Sequence, residues 1–175
     1  MAEEGAQLIA AWREDRRWQR DISRHQDDRL FAARSDAYAH LLGSIEYWDA
    51  ALFRPVRDRD VIPGDLDRLD AAYEAAIRGL GSVNLFAPEH VRAWILEAMR
   101  PRMDMTQMVA RGADSDVKRM LDAWREAQIA YRTLRALMRA DLGMDAEAAF
   151  LEHAGNNAPE HILPWANPEL DGSTG

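Results

Sequence analysis

The stretch that decides the fold is FAARSDAYAHLLGSIEYWDAALF, from Phe31 to Phe53. Its apolar residues recur at a seven-residue spacing with additional members three positions further on, which is the period of one face of an α-helix. The residues on this face are Phe31, Tyr38, Leu41, Leu42, Ile45, Trp48 and Leu52. Such a broad apolar stripe predicts a helix that packs on other helices.

The same helix is predicted to extend far upstream of this stretch. The segment from Gln7 to Phe53 contains no proline, and Gly43 is its one glycine. It therefore predicts a single helix of about 47 residues, or about 70 Å at 1.5 Å per residue. A helix of that length is coiled-coil-like and longer than the helices of most globular domains.

The first half of this long helix is much more polar than the second. Seven arginines and five acidic residues lie between Arg13 and Arg34. The few apolar side chains there are out of phase with the stripe that follows, which favours an arm projecting from the protein. Tryptophan and arginine are enriched at interface hot spots. We therefore predict that the arm binds a protein partner or a second copy through Leu8, Trp12, Trp18, Ile22 and His25. In the alternative, the arm folds back and buries its tryptophans.

A second helix is predicted from Leu66 to about Leu80, after a loop from Arg54 to Asp65 that contains Pro55 and Pro63-Gly64. Asp65 is placed to cap its N-terminus, and Gly79 and Gly81 are expected to end it. Ser82 to Ala87 then predicts a short connector. The predicted apolar stripe of this helix consists of Leu66, Leu69, Tyr73, Ile77 and Leu80.

Two more long helices follow. The third opens at Pro88, where proline is tolerated, and should be kinked or interrupted at Pro101 before it reaches Gly112. The fourth begins at Asp114 or Ser115. The apolar residues expected to face the core are Val91, Trp94, Ile95, Ala98 and Met99 in the third helix, and Val117, Met120, Trp124, Ala127, Tyr131, Leu134 and Met138 in the fourth.

Together these elements predict an all-α protein, an antiparallel bundle of about four helices with a very long N-terminal helix and an irregular acidic tail. Residues 1–143 form the bundle and its arm, and residues 144–175 a short helix, from about Asp145 to His153, and an acidic, proline-containing tail. Of the net charge of −8, the residues from Asp141 onward contribute −7, with seven acidic residues and no lysine or arginine. The remainder, with 23 acidic and 22 basic residues, is nearly neutral.

The composition argues against several classes of function. A nearly neutral body lacks the basic face typical of nucleic-acid binding. The chain contains no cysteine, which excludes disulfides and thiolate chemistry. Its apolar runs fall far short of the roughly 18 residues of a spanning helix, and no signal peptide is recognised, so we expect a cytoplasmic protein. Contact with a membrane surface is disfavoured because the arm has a net charge of only about +2.

No catalytic, cofactor or metal site is predicted. None of the five histidines has a glutamate three residues before it, the spacing used by di-iron helical bundles. His40 is expected to be partly buried and hydrogen-bonded. Ser115 and Lys118 match the S-x-x-K pattern of serine acyl-enzymes, but the companion motifs are missing and Ser115 is better explained as a helix cap. A non-enzymatic role follows.

The leading functional hypothesis is therefore an interaction or scaffold protein. The alternative is a ligand-binding or regulatory helical domain with an apolar pocket near the kink at Pro101. Methionine-rich faces can form adaptable binding grooves, although filling of a core is the more ordinary use of this residue. The residues expected to line such a pocket are Trp94, Met99, Met103, Met105 and Met108.

Four segments carry a resemblance to known proteins: Glu14 to Trp18, Arg34 to Leu42, Val83 to Val91, and Met138 to Gly143. They are similar to uncharacterised all-helical proteins common in high-GC Gram-positive bacteria, over roughly Trp12 to Gly143. Many of those proteins have a membrane-spanning helix just before the segment rich in arginine and tryptophan, and this chain lacks it. The resemblance implies an all-helical fold and brings no activity or site residue with it. The departure from it, the missing membrane segment, favours a soluble partner over a membrane anchor.

Overall fold

The computed structural model describes the backbone of residues 2–112 and 117–159, and the side chains within those ranges from residue 25 onward. The described residues form five helices and no strand, so the all-helical prediction is confirmed. The helices are α1 (Ala2–Asp58), α2 (Asp65–Phe86), α3 (Glu89–Ala110), α4 (Val117–Asp141) and α5 (Ala148–Asn156). α1 packs mainly on α2, and α3 mainly on α4; α5 packs on α4, and contacts between α1 and α3 join the two pairs.

The apolar stripe of α1 forms the centre of the core, with one exception. Tyr38, Leu41, Ile45, Trp48 and Leu52 are at most 1% exposed. The prediction for Phe31 was wrong, because its side chain is 52% exposed. Phe31 lies before the point where α1 first bonds to another helix. In the described residues, the first such hydrogen bond runs from Arg34 to Asp141 of α4, almost one turn after Phe31. The core therefore begins at Ala37 and Tyr38.

α1 also ends later than predicted. The expected loop from Arg54 does not start there, since the helix continues through Pro55 to Asp58. Proline removes one backbone donor, and one lost bond in the last turn of a long helix is tolerated. The N–H of Arg59 donates to the carbonyl of Pro55 at 3.1 Å and closes the helix, with Arg59 itself at φ 55°.

Asp65 does not cap α2 as predicted. Gly64 holds the cap position, in a left-handed conformation with φ 92° that favours glycine, and Asp65 is the first helical residue. The nearly buried carboxylate of Asp65 accepts the N–H of Ile62 at 2.9 Å and pairs with the guanidinium of Arg54. Asp65 therefore fastens the start of α2 to the end of α1.

The buried face of α2 is rotated from the predicted one. Leu66, Tyr73 and Ile77 are 37–43% exposed, whereas the residues facing the core follow the same three-four spacing on a neighbouring stripe. These core-facing residues are Leu69, Ala72, Ala76, Gly79 and Val83. Small side chains on that stripe allow α1 to approach closely, and the larger apolar residues flank the contact.

The prediction that Gly79 and Gly81 end α2 was also wrong. Neither glycine has a positive φ, and α2 continues through both and through the predicted connector to Phe86. Gly79 lies where α2 crosses α1: a Cβ atom there would be 3.2 Å from the Cα of Leu41. The buried Val83 continues the packed face beyond this crossing. Gly79 is therefore a packing residue.

The predicted core faces of α3 and α4 are confirmed, with Val117 and Trp124 only partly buried. α3 is not interrupted at Pro101, and continues to Ala110. The described part of α4 begins at Val117, so its predicted start at Asp114 or Ser115 lies outside the described residues. α5 begins and ends three residues later than expected, and its buried Ala154 joins the core.

Substitution of Gly79 by alanine tests the crossing of α1 and α2. Alanine favours a helix interior by about 1 kcal/mol, but a clash against rigid backbone costs about 1–3 kcal/mol. We expect Gly79→Ala to lower the free energy of unfolding measured in urea. Gly81→Ala is the matched control: its Cβ would meet nothing within 4 Å, and the variant should be more stable than the parent. Equal stabilisation by both substitutions would contradict the close approach.

Candidate functional site

The predicted partner-binding residues all lie on α1. The backbone of this helix is described from Ala2, but the side chains of Leu8, Trp12, Trp18 and Ile22 lie outside the described residues. His25, the fifth predicted residue, is described and exposed. The structure therefore places the five positions on one helix and gives a side-chain environment only for His25.

The described end of the arm has an unusual surface. Every residue from His25 to Ala32 is exposed, including Leu30 at 53% and Phe31 at 52%. Leu30 and Phe31 are adjacent in sequence, and about half of each large apolar side chain is in contact with solvent. This part of α1 therefore has solvent around its whole circumference in the described part of the chain.

A polar cluster in the interior was not predicted. The Arg102 side chain is 0% exposed and forms a two-point ion pair with Asp49 of α1, with Nε–Oδ1 and Nη2–Oδ2 both 2.7 Å. Its remaining Nη1 donates to the carbonyls of Ala98, in its own helix, and Ala127, in α4 at 3.2 Å. Gln128 of α4 donates to the same carboxylate at 3.2 Å. One guanidinium thereby connects α1, α3 and α4.

Two hydrogen bonds extend this cluster towards neighbouring turns. The hydroxyl of Tyr131 donates to the carboxylate of Glu46, and the guanidinium of Arg102 lies 5.8 Å from the centre of the Tyr131 ring. The indole Nε1 of the buried Trp48 donates to the hydroxyl of Thr106 at 3.0 Å. The cluster is closed by its own members, which makes it a structural junction rather than a site that receives a ligand.

The sequence did contain a signal for Arg102. It falls on the apolar stripe of α3, between Ala98 and Met105, where a charge is out of place. Asp49 similarly follows the buried Ile45 by one turn. The prediction missed this pair because arginine and aspartate are abundant and solvated elsewhere in the chain, so that two more charges were not distinctive.

A second junction lies where α1 leaves the other helices. The hydroxyl of Tyr38 donates to Asp141 Oδ2 at 2.7 Å, and Arg34 donates to the same atom at 3.3 Å. Burial and the adjacent carboxylate raise the pKa of Tyr38 well above its ordinary value. Burial, followed by the hydrogen bond to Glu46, raises the pKa of Tyr131 in the same direction. Both phenols therefore stay protonated in the folded protein into the alkaline range.

A cleft of about 490 Å³ lies beside Pro101, between α3, α4 and α5. Trp94 lines it, as predicted, and its ring lies 5.6 Å from the ring of His153. The methionine lining was wrong, because none of the four methionines lines this cleft: Met99, Met105 and Met108 are buried in the core, and Met103 is 38% exposed elsewhere on α3. Charged residues surround it instead, among them Glu97, Arg100, Asp104 and Glu126.

A second cleft, of about 280 Å³, lies at the C-terminal end of α1 and is mostly apolar. It is enclosed by the end of α1, the following loop, the end of α3 and the start of α4. Val56, Val109, Met120 and Trp124 form much of its wall. No sequence pattern pointed to it, because its lining residues come from four separate segments that only the fold brings together.

The histidines do not assemble a metal site in the described residues, where no group of three histidine, aspartate or glutamate side chains could hold an ion. His40 is exposed, so its predicted burial was wrong. Ser115 lies outside the described residues, which leaves its proposed cap untested. No described helix has both the length and the apolar character needed to cross a membrane.

The chain matches no protein-family model, and comparison with curated proteins and with solved structures finds no significant similarity. Functional proposals therefore rest on the residues and geometry of this chain.

Loss of either partner of the Arg102–Asp49 pair should destabilise the protein, but the two losses should differ in size. Asp49→Ala leaves a permanently charged guanidinium fully buried and should lower the free energy of unfolding by about 3 kcal/mol or more. Arg102→Met should cost less, because the Asp49 side chain is 17% exposed and can be hydrated. The double variant Asp49→Leu/Arg102→Met should recover much of the loss.

Urea unfolding of these three variants measures the effect, with Glu74→Ala as the control. Glu74 pairs with Arg78 on the surface of α2, where both side chains are more than 65% exposed, and the loss of such a pair changes stability by less than about 1 kcal/mol. If Asp49→Ala proved as mild as Glu74→Ala, the buried ion pair would be contradicted.

The raised phenol pKa values predict alkaline sensitivity. Because the folded-state pKa of each phenol lies above the unfolded value of about 10, the unfolded state loses this proton first as the pH rises. The stabilisation of the folded state is therefore complete below pH 10 and is lost as the pH rises further. We expect Tyr38→Phe and Tyr131→Phe each to reduce the fall in unfolding free energy between pH 9 and pH 11. Tyr47→Phe is the control, because it removes a phenol from the exposed face of α1, away from both junctions. Identical profiles for all three variants would disprove the assignment.

Proposed function

We propose that this protein is a non-enzymatic helical interaction protein, which associates with a second copy of itself or with a helical protein partner through the N-terminal half of α1. The observation that carries this proposal is the exposure of every residue from His25 to Ala32, with Leu30 and Phe31 each about half exposed. Leu8, Trp12, Trp18 and Ile22 continue the same helix upstream and are the proposed contact residues, together with His25.

The proposal includes an antiparallel four-helix bundle that supports the arm. It would consist of the C-terminal half of α1 with α2, α3 and α4. In its favour, contacts between α1 and α2 run in opposite chain directions: Arg54 pairs with Asp65, the ring of Trp48 lies 5.4 Å from that of Tyr73, and Leu41 meets Gly79. Short connections between consecutive helices are typical of this architecture.

The arm should be more stable as a helix when it is packed against a partner than when it stands alone in water. An arm from Ala2 to Ala33 is about 48 Å long at 1.5 Å per residue. Most of the stability of helices in proteins comes from packing of an apolar face, and an unpacked helix is marginal in water. Seven arginines and five acidic residues between Arg13 and Arg34 give the arm charges of both signs, which can pair with those of a second copy in a coiled coil.

Deletion of Met1 to Arg24 tests the proposal. For self-association, the molar mass from light scattering should fall to that of one chain, while the full-length protein, of 19.9 kDa per chain, should give a multiple of its chain mass. For a different partner, the deletion should abolish capture of that partner. The free energy of unfolding of the remaining bundle should stay close to that of the parent, because the proposal places the deleted residues outside the bundle.

Two double substitutions test whether association depends on the exposed apolar residues of the arm. Leu30→Gln/Phe31→Gln should weaken association, because each change removes apolar surface from the arm. Ile62→Gln/Leu66→Gln is the matched control, since these side chains are 44% and 43% exposed at the opposite end of the packed helices. The proposal fails if neither mass nor partner capture responds to the arm deletion, or if the control pair has the same effect as the arm pair.

A further inference from the structure

The apolar cleft at the C-terminal end of α1 has the features of a small-molecule site. Val109 and Met120 are 3% and 8% exposed at its wall, and Val56 and Val61 are half-buried there. Its volume is about 280 Å³. Small-molecule sites are typically concave, mostly apolar and equipped with a few polar groups that orient the ligand.

Apolar side chains also surround the opening of this cleft. Phe53 is 50% exposed and Leu121 48%, although both lie beside the cleft wall. The ring of Phe53 is 6.3 Å from that of Trp124. An apolar ligand in the cleft would remove parts of these two exposed side chains from water, which favours binding in proportion to the area covered.

Among the described residues, the charged groups that line the cleft are two arginines with different roles. Arg57 is paired with Asp58 through two hydrogen bonds of 2.6 and 2.8 Å, and its guanidinium lies 5.2 Å from the centre of the Phe53 ring. The exposed guanidinium of Arg59 makes no hydrogen bond or ion pair with the described residues. Asp58 and Asp60 alternate with these arginines in sequence but do not line the cleft. Within the described part of the chain, the uncompensated charge of the cleft is therefore positive.

We propose that this cleft binds an amphipathic monocarboxylate of medium chain length, with the alkyl chain against Val56, Val109 and Met120 and the carboxylate paired with Arg59. A cleft of about 280 Å³ lies at the small end of the range of ligand pockets, which suits a ligand of about ten non-hydrogen atoms such as octanoate. The proposal is independent of partner binding by the arm, since the cleft lies at the other end of the packed part of α1.

Calorimetric titration of the full chain with butanoate, hexanoate, octanoate and decanoate tests the fit. Each methylene that enters the apolar wall should tighten binding by about four-fold. The gain should stop once the chain fills the cleft, between octanoate and decanoate. Octanol and octylammonium, with the same chain but without the carboxylate, should bind several-fold more weakly than octanoate.

Two variants locate the site. Arg59→Gln should weaken octanoate binding about five-fold, as expected for loss of a solvent-exposed ion pair, and leave octanol binding unchanged. Arg68→Gln removes one exposed arginine from α2, away from the cleft, and is the matched control. Val61→Phe narrows the cleft and should weaken every ligand of the series. The proposal is overturned if affinity is independent of chain length, if Arg59→Gln and Arg68→Gln behave alike, or if Val61→Phe leaves octanoate binding unchanged.

Discussion

The guanidinium of Arg102 is fully buried, and the packing of three helices depends on meeting its requirements. An isolated buried charge is very unfavourable, so Asp49 must approach it from α1 with both carboxylate oxygens. The carbonyl of Ala127 must face it from α4. Within α3 itself, the same guanidinium donates to the carbonyl of Ala98. These directional contacts fix the rotation of each helix about its axis, which apolar packing alone specifies less strictly.

The contact between α1 and α2 depends on a different constraint, the closeness of two backbones. Because Gly79 has no side chain, α2 can approach Leu41 so closely that even a methyl group would have to displace the backbone. Ala72 and Ala76 continue this surface of small residues. At one end the contact is fastened by Arg54 and Asp65, which join the last turn of α1 to the first turn of α2. α1 is thus held by small-residue packing on one side and by the Arg102 ion pair on the other.

Sequence periodicity predicted the helical class and most core positions, and its failures have physical causes. Ile45, Trp48 and Leu134 were found because large apolar residues at helical spacing have few alternatives to burial. The buried face of α2 was predicted on the wrong residues because Tyr73 and Ile77 are the more hydrophobic side chains. The close contact with α1 instead requires small residues, which are Ala76 and Gly79. The apolar cleft was unpredictable, because residues such as Val61 and Trp124 are distant in sequence and each is unremarkable alone.

The departure of α1 from the other helices is defined by Tyr38 and Arg34, which share the carboxylate of Asp141. N-terminal to this junction, every described side chain from Ala32 back to His25 is exposed. The apolar cleft lies near Pro55, and the 25 residues from Phe31 to Pro55 span about 36 Å of helix. The arm and the cleft therefore occupy opposite ends of the packed part of α1, with the Arg102–Asp49 pair between them. Because the two sites are far apart and share no residue, a substitution at either end should leave the other end unaffected, and the two proposed functions can be separated by mutation.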